Sequence, residues 1–232
     1  MCLKLLKASW AGPALLTGEI GQCKIIEGSG DYRGCPGGEK MFDAKKCSAF
    51  IKESCLNYKG RDPLALAIGM MAGEQLRPHG PEHHFMVAAA LCSAWCNAMG
   101  EEKEQHLEHL EERCRLIYPG VCGYFGVCGD TLAAGAAYSE MEGVNYLSGK
   151  PWRDIALFTG KLQQALAASC LCGPRCCKRS SFAVLSAAAK TLKDWGLAPL
   201  ELRTELICGF SERNSQCIKK ACIYYGKDRR AE

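Results

Sequence analysis

Residues 85–99, FMVAAALCSAWCNAM, constrain the fold more than any other stretch. As a helix the run is apolar on every face, which is the pattern of a helix buried all round rather than along one stripe. It falls short of the roughly 20 residues that cross a bilayer and is Ala-rich rather than Leu-rich, so no membrane span is expected. The run marks a central buried helix, and the rest of the chain reads as helices around it. FDAKKCSAFIKESCLNYKG is helical and ended by Gly60; DPLALAIGMMAGEQL opens with Asp62 as N-cap and Pro63 in the first turn. The central helix itself starts near GPEHHF, with Pro81 and Glu82 in its first turn. EEKEQHLEHLEERCRLIY follows as an exposed amphipathic helix with Leu107, Leu110 and Ile117 on one face, ended by Pro119-Gly120. GVCGYFGVCGD reads as a Gly-rich loop, after which Asp130 or Thr131 caps a small-residue helix. A helix from Pro151 runs into a cysteine cluster, and Ser180 or Ser181 caps FAVLSAAAKTLKDW, which stops at Gly196. No strand-like alternation persists and no fixed-period repeat occurs. The expected fold class is mainly α: one helical domain over residues 41–232, behind an irregular Gly-rich segment over residues 1–40.

Composition bears on the cysteines. A chain of 232 residues can bury a continuous core, so its 17 cysteines are not needed as a disulfide framework, and 17 is an odd number. The N-terminal MCLKLLKASWAGPALLTGEIG is interrupted by Gly12 and Pro13 and shows no small-residue cleavage site. The expectation is a cytoplasmic protein with reduced thiols, where dense cysteines point to metal or redox chemistry. A net charge of +4 is too small to imply nucleic acid.

Two cysteine-bearing stretches carry the chemistry. Cys122 and Cys128 sit among Gly120, Gly123, Gly126 and Gly129, where a free backbone can turn amides toward an anion or toward cluster sulfurs. CLCGPRCCKRSSF, residues 170–182, places Cys176 and Cys177 after Pro174 and before a helix start. The helix dipole there, with Lys178 and Arg179 nearby, is expected to lower thiol pKa. The spacing is neither that of a zinc ribbon nor that of a standard ferredoxin, and adjacent Cys176 and Cys177 do not ordinarily ligate one ion together. In HGPEHHF, His83 and His84 are candidate proton shuttles or ligands, the alternative being capping or hydrogen-bonded histidines. His84, Ala88, Cys92 and Cys96 share a stripe, but His84 and Cys92 lie about 12 Å apart along a helix and cannot hold one ion. Cys92 and Cys96 read as core packing, His106 and His109 as solvated, and Cys208, Cys217 and Cys222 fall in a mixed tail.

HGPEHHFMVAAAL, GVCGYFGVCGDTLAAG, GPRCCKRSSFAVL and SERNSQCIKKACIYY, in this order and at these separations, resemble the prokaryotic family of unknown function DUF5714 over about residues 60–226. The resemblance implies a setting in anaerobic bacteria and archaea but no activity. It places His83, His84, Cys122, Cys128, Cys176, Cys177, Cys217 and Cys222 at motif positions, and leaves Cys92, Cys96, Cys170 and Cys172 as additions of this chain. Members of that family often look as if they begin with a C-x-x-C segment, a spacing that Cys23, Cys35, Cys47 and Cys55 do not follow. A looser likeness in style, to the iron–sulfur domains of bacterial serine dehydratases and cysteine desulfidases, establishes no function.

Three functions stay open at this level. The first is an iron–sulfur protein with the cluster on Cys122, Cys128 and Cys176 or Cys177, and Cys217 as fourth ligand or lid. In its enzymatic form it is a lyase or sulfur-transfer enzyme acting on a small substrate, with His83, His84 and Cys177 as catalytic residues. The second is a non-catalytic zinc module serving a partner enzyme; the metal-ligand candidates are Cys122, Cys128, Cys176, Cys177, Cys217 and Cys222. The third is a thiol redox or persulfide carrier on Cys176 and Cys177, which requires a depressed thiol pKa.

Overall fold

The computed structural model describes residues 42–169 and 176–226. The expected irregular segment over residues 1–40, Cys23, Cys35, Cys170 and Cys172 lie outside the described residues. Helix α1 (Ala44–Asn57) is started by Asp43, whose carboxylate accepts the N–H groups of Lys45 and Lys46. It turns Cys47, Ile51 and Cys55 inward at helical spacing. Its C-terminus has no glycine cap. Instead the ammonium of buried Lys103 donates to the carbonyls of Cys55 and Tyr58, and Asn97 donates to those of Tyr58 and Gly60, so cation and amide take up the orphan acceptors. Helix α2 (Pro63–Ala72) begins as expected, with Asp62 Oδ1 accepting from Leu64 and Ala65 and Pro63 in the first turn.

Helix α3 (Glu82–Met99) is the central one. Every residue from Glu82 to Cys96 is buried, and Gly100 ends it in the left-handed region, at φ 78°. It packs most extensively against α6 (Gly129–Met141), whose buried Ala133, Ala134 and Ala137 are small enough for close helix packing, while Gly135 faces Thr159 of α7. Helix α4 (Glu104–Arg115) covers α3 with Leu107, Leu110 and Cys114; Ile117, expected on that face, lies beyond its end. His109 is exposed, as expected, and His106 half-buried, and both also have a partner: their ring Nδ1 atoms and the Arg113 guanidinium converge on Glu140 of α6 and tie α4 down. The Gly-rich loop contains one short helix, α5 (Val121–Phe125), bracketed by Gly120 and Gly126 at φ 85° and 68°.

Helices α7 (Lys150–Ser169) and α8 (Cys177–Asp194) pack together. Phe158 of α7 stacks within 4.8 Å of Tyr138 of α6. Both expected serine caps of α8 are overturned. The helix starts earlier, with Cys176 as N-cap accepting the Arg179 N–H on its Sγ at 3.4 Å, and Ser180 and Ser181 are buried inside its first turns. In the same way Cys128, not Asp130 or Thr131, stands at the N-cap of α6.

Residues 197–226 form a strap without regular helices beyond two 3₁₀ turns, Ser211–Arg213 and Lys219–Ala221. Arg203 pairs with Asp62 at 2.7 Å, and Arg213 donates to the last carbonyls of α2, those of Met71, Ala72 and Gly73. Phe210 and Tyr224 set their rings against Phe182 of α8. Among the described residues there is no strand, only an isolated parallel bridge between Cys208 and Tyr225. The fold is mainly α.

Candidate functional site

Three long helices begin at one place. His84 of α3 lies so close to Gly129 of α6 that a Cβ there would sit 2.1 Å from its Nε2. Ser181 of α8 donates to Asp130 Oδ2 at 3.0 Å, and the Gly80 N–H just ahead of α3 is directed at the Cys177 thiol. The junction is mostly dry: His83, Asp130, Thr131 and Ser181 are buried. Gly80 O accepts from His83 Nδ1 at 3.2 Å, which fixes the proton on Nδ1 and leaves Nε2 as a bare acceptor with no partner. His84 Nδ1 and Thr131 Oγ1 are likewise buried without a partner.

Burial sets the charges here. It holds His83 down to about 3, with Lys178 adding to the effect, and His84 down to about 4. It raises Asp130 to about 7 against the opposing Ser181 hydrogen bond. Burial first and Asp130 second push the thiols of Cys128 and Cys177 up to about 12. Cys176 is also raised by burial, although its thiol accepts an N–H. The expected lowering of these thiols by the helix start is thus overturned: removal from water outweighs the dipole and the neighbouring cations.

Adjacent Cys176 and Cys177 belong to two different groups. Cys177 faces the junction, where Asp130 and Cys128 act on it. Cys176 faces the strap, where Cys222 and Cys217 raise it, and Cys208 in turn feels Cys176, Cys222 and Cys217. Four thiols from α8 and the strap therefore share one electrostatic neighbourhood, and all are free and half-buried. Backbone amides serve three of them: Arg179 N to Cys176, Phe210 N to Cys208 and Lys219 N to Cys217, each at 3.4 Å. Lys219 adopts φ 47°, alone among the described non-glycine residues in having a positive φ, and that turn aims its N–H back at Cys217. Among the described residues no three His, Cys, Asp or Glu side chains stand close enough to share a single metal ion. Lys178 lies between the two groups, its ammonium 5.1 Å from the Phe210 ring centroid.

Of the residues singled out by sequence, the structure gathers His83, His84, Cys128 and Cys177 at the junction and Cys176, Cys217 and Cys222 at the strap. Cys122, half-buried on α5, is not among the main groups acting on Cys128, Cys176 or Cys177. Cys92 and Cys96 are core, as expected, with sulfurs 3.9 Å apart. Sequence reasoning missed Asp130 as a buried carboxyl, Lys178 as a buried cation and Cys208 as a companion of Cys176. The signal for Cys208 lay in its place upstream of Cys217 and Cys222 in one helix-poor tail. An open groove of about 490 Å³, lined by Leu132, Trp152, Ile155 and Thr159 of α6 and α7, contains none of these residues.

Fold and site together define a cysteine-rich, mainly α protein in which Cys128, Cys176 and Cys177 stand at helix starts and Cys208, Cys217 and Cys222 in the strap. Residues 51–225 match the family of unknown function DUF5714, and the chain belongs to that family. No curated protein and no solved structure matches it.

Proposed function

We propose that the protein is an iron–sulfur protein whose cluster is held by Cys176, Cys208, Cys217 and Cys222. The observation that carries this reading is the shared neighbourhood of these four thiols, three of them already accepting backbone N–H groups. Hydrogen bonds to sulfur stabilise thiolate and tune cluster potential. A single tetrahedral zinc, with Zn–S about 2.3 Å, draws its sulfurs to within about 4 Å of one another. Zinc and a polynuclear cluster both bind such thiolates, and the metal and sulfide analysis below separates them. Four thiolates fill a cluster's protein positions, so the reading favours electron transfer to a partner enzyme over lysis at an open iron. The turns at Cys208 and Cys217, each with an N–H···S bond two residues on, favour structural zinc as the second reading.

Anaerobic purification followed by iron, zinc and acid-labile sulfide analysis tests this. The expected result is brown protein with roughly four iron and four sulfide per chain. Cys208→Ser abolishes the colour and Cys122→Ser retains it. Protein competent for reconstitution that holds no metal, or a cluster lost with Cys122 and kept without Cys208, refutes the assignment.

A further inference from the structure

Along α6, Leu132, Ala136 and Ser139 recur at helical spacing and form the floor of the open groove, with Arg113 of α4 on one side and Trp152, Ile155 and Thr159 of α7 on the other. Bulky apolar side chains stand exposed at both ends. At the Leu132 end are Leu116, one turn beyond Arg113, and Tyr118, Tyr124 and Phe125, with the Tyr118 and Tyr124 rings 6.2 Å apart. Gln163 of α7 donates to Gly126 O at 3.0 Å, which brings the end of α5 against α7 one turn beyond Thr159. At the Trp152 end, the loop from α6 to α7 presents Tyr146 and Leu147, 87% and 78% exposed. With aromatic side chains offering about 150–250 Å² each, the exposed parts of these residues together with Leu132 and Trp152 come to on the order of 1,000 Å². The largest apolar patch on a monomer is usually about 300–600 Å², whereas a stable interface covers about 800 Å² on each partner.

We infer that this face, centred on the groove, binds a second copy of the chain in a two-fold symmetric dimer. A two-fold interface sets one patch against itself, so the patch has to be self-complementary in shape and in charge. In shape, Trp152 projects, 56% exposed, at one end of a groove lined by the small residues Gly135, Ala136, Ala156 and Thr159, so each copy offers a knob and a hole. In charge, Arg113 is paired with Glu140 at 2.7 Å and Lys150 with Asp154, both within one copy. The centre is therefore close to neutral: it does not repel its own image and offers a strongly charged partner little to pair with. Homodimer interfaces are also the more apolar class, which this centre matches. None of these residues is a proposed metal ligand, so the dimer stands or falls apart from the cluster.

The test is analytical ultracentrifugation of the full-length protein, purified anaerobically and kept in reductant so that disulfide-linked pairs do not count. Trp152→Glu, Leu132→Asp and Met99→Lys are compared with the parent. Trp152 and Leu132 are exposed, so neither change opens the core, and helical circular dichroism with melting temperature checks that both variants fold. Met99, exposed beyond the far end of α4, is the control for general stickiness. The expected result is a parent of twice the chain mass at about 10 μM, with association at least roughly tenfold weaker in Trp152→Glu and Leu132→Asp and parental in Met99→Lys. A parent that stays monomeric at about 100 μM overturns the inference. So does a dimer that persists unweakened in both folded variants. A monomeric parent that co-sediments with phosphatidylglycerol vesicles, and ceases to with Trp152→Glu, assigns the face to a lipid surface and overturns the dimer as well.

Discussion

Asp130 and the two histidines beside it pull acid stability in opposite directions. Asp130 is raised from 3.8 to about 7, so between those pH values the folded protein keeps a proton that the unfolded chain releases. Stability attributable to this group falls as pH rises through that window, by on the order of 4 kcal/mol in total. His83 and His84 are lowered from 6.5 to about 3 and about 4. Below 6.5 the unfolded chain binds protons that the folded one refuses, so their contribution rises with pH and outweighs Asp130 up to about 6.5. Asp130→Asn, which preserves an acceptor for Ser181, is expected to steepen the rise in melting temperature from pH 4 to 6.5 and to raise stability at pH 8. An unchanged melting profile would count against the buried ionisation. Gly129 tests the same junction by packing. Ala there meets His84 Nε2 at 2.1 Å and is expected to cost about 1–3 kcal/mol. Gly160→Ala, in open space on α7, is expected to stabilise by about 1 kcal/mol. Thermal unfolding of the two variants checks both signs.

At the scale of elements, the strap depends on α2 as much as on its own turns. Arg213 donates to three carbonyls at the end of α2, the place where a cation best complements the helix dipole. Arg213→Ala is expected to cost about 1 kcal/mol and to open the strap, making residues 200–226 cleavable under limited proteolysis while the helices stay intact. Cleavage indistinguishable from the parent would show that Phe210, Tyr224 and Arg203 suffice to hold it. Element boundaries were legible where a local device makes them. Asp62-Pro63 and Gly196 each act within one helical turn, and both mark ends in the structure. The start of α8 was not. Serine is the usual cap, but Ser180 and Ser181 are drawn inward because Cys128 and Asp130 wait there, contributed by a helix some fifty residues earlier.

Across the whole molecule, the local pattern settled the architecture and the contacts between distant segments settled the site. Among the described residues no helix is long and apolar enough to cross a membrane, so a run apolar on all faces is buried among other helices, and α3 was legible in residues 85–99. His83, Cys128 and Cys177 were legible as candidates because their residue types are chemically specific. Their charge states were not, because burial that is decided by three helices meeting outweighs the local effect of a helix start. The division between Cys176 and Cys177 was likewise beyond the sequence. At a helix start successive side chains leave the axis about 100° apart, so neighbours in the chain address different surroundings. Which surroundings those are depends on where α3, α6 and the strap come to rest, and only the packed structure brings Cys208 to Cys176.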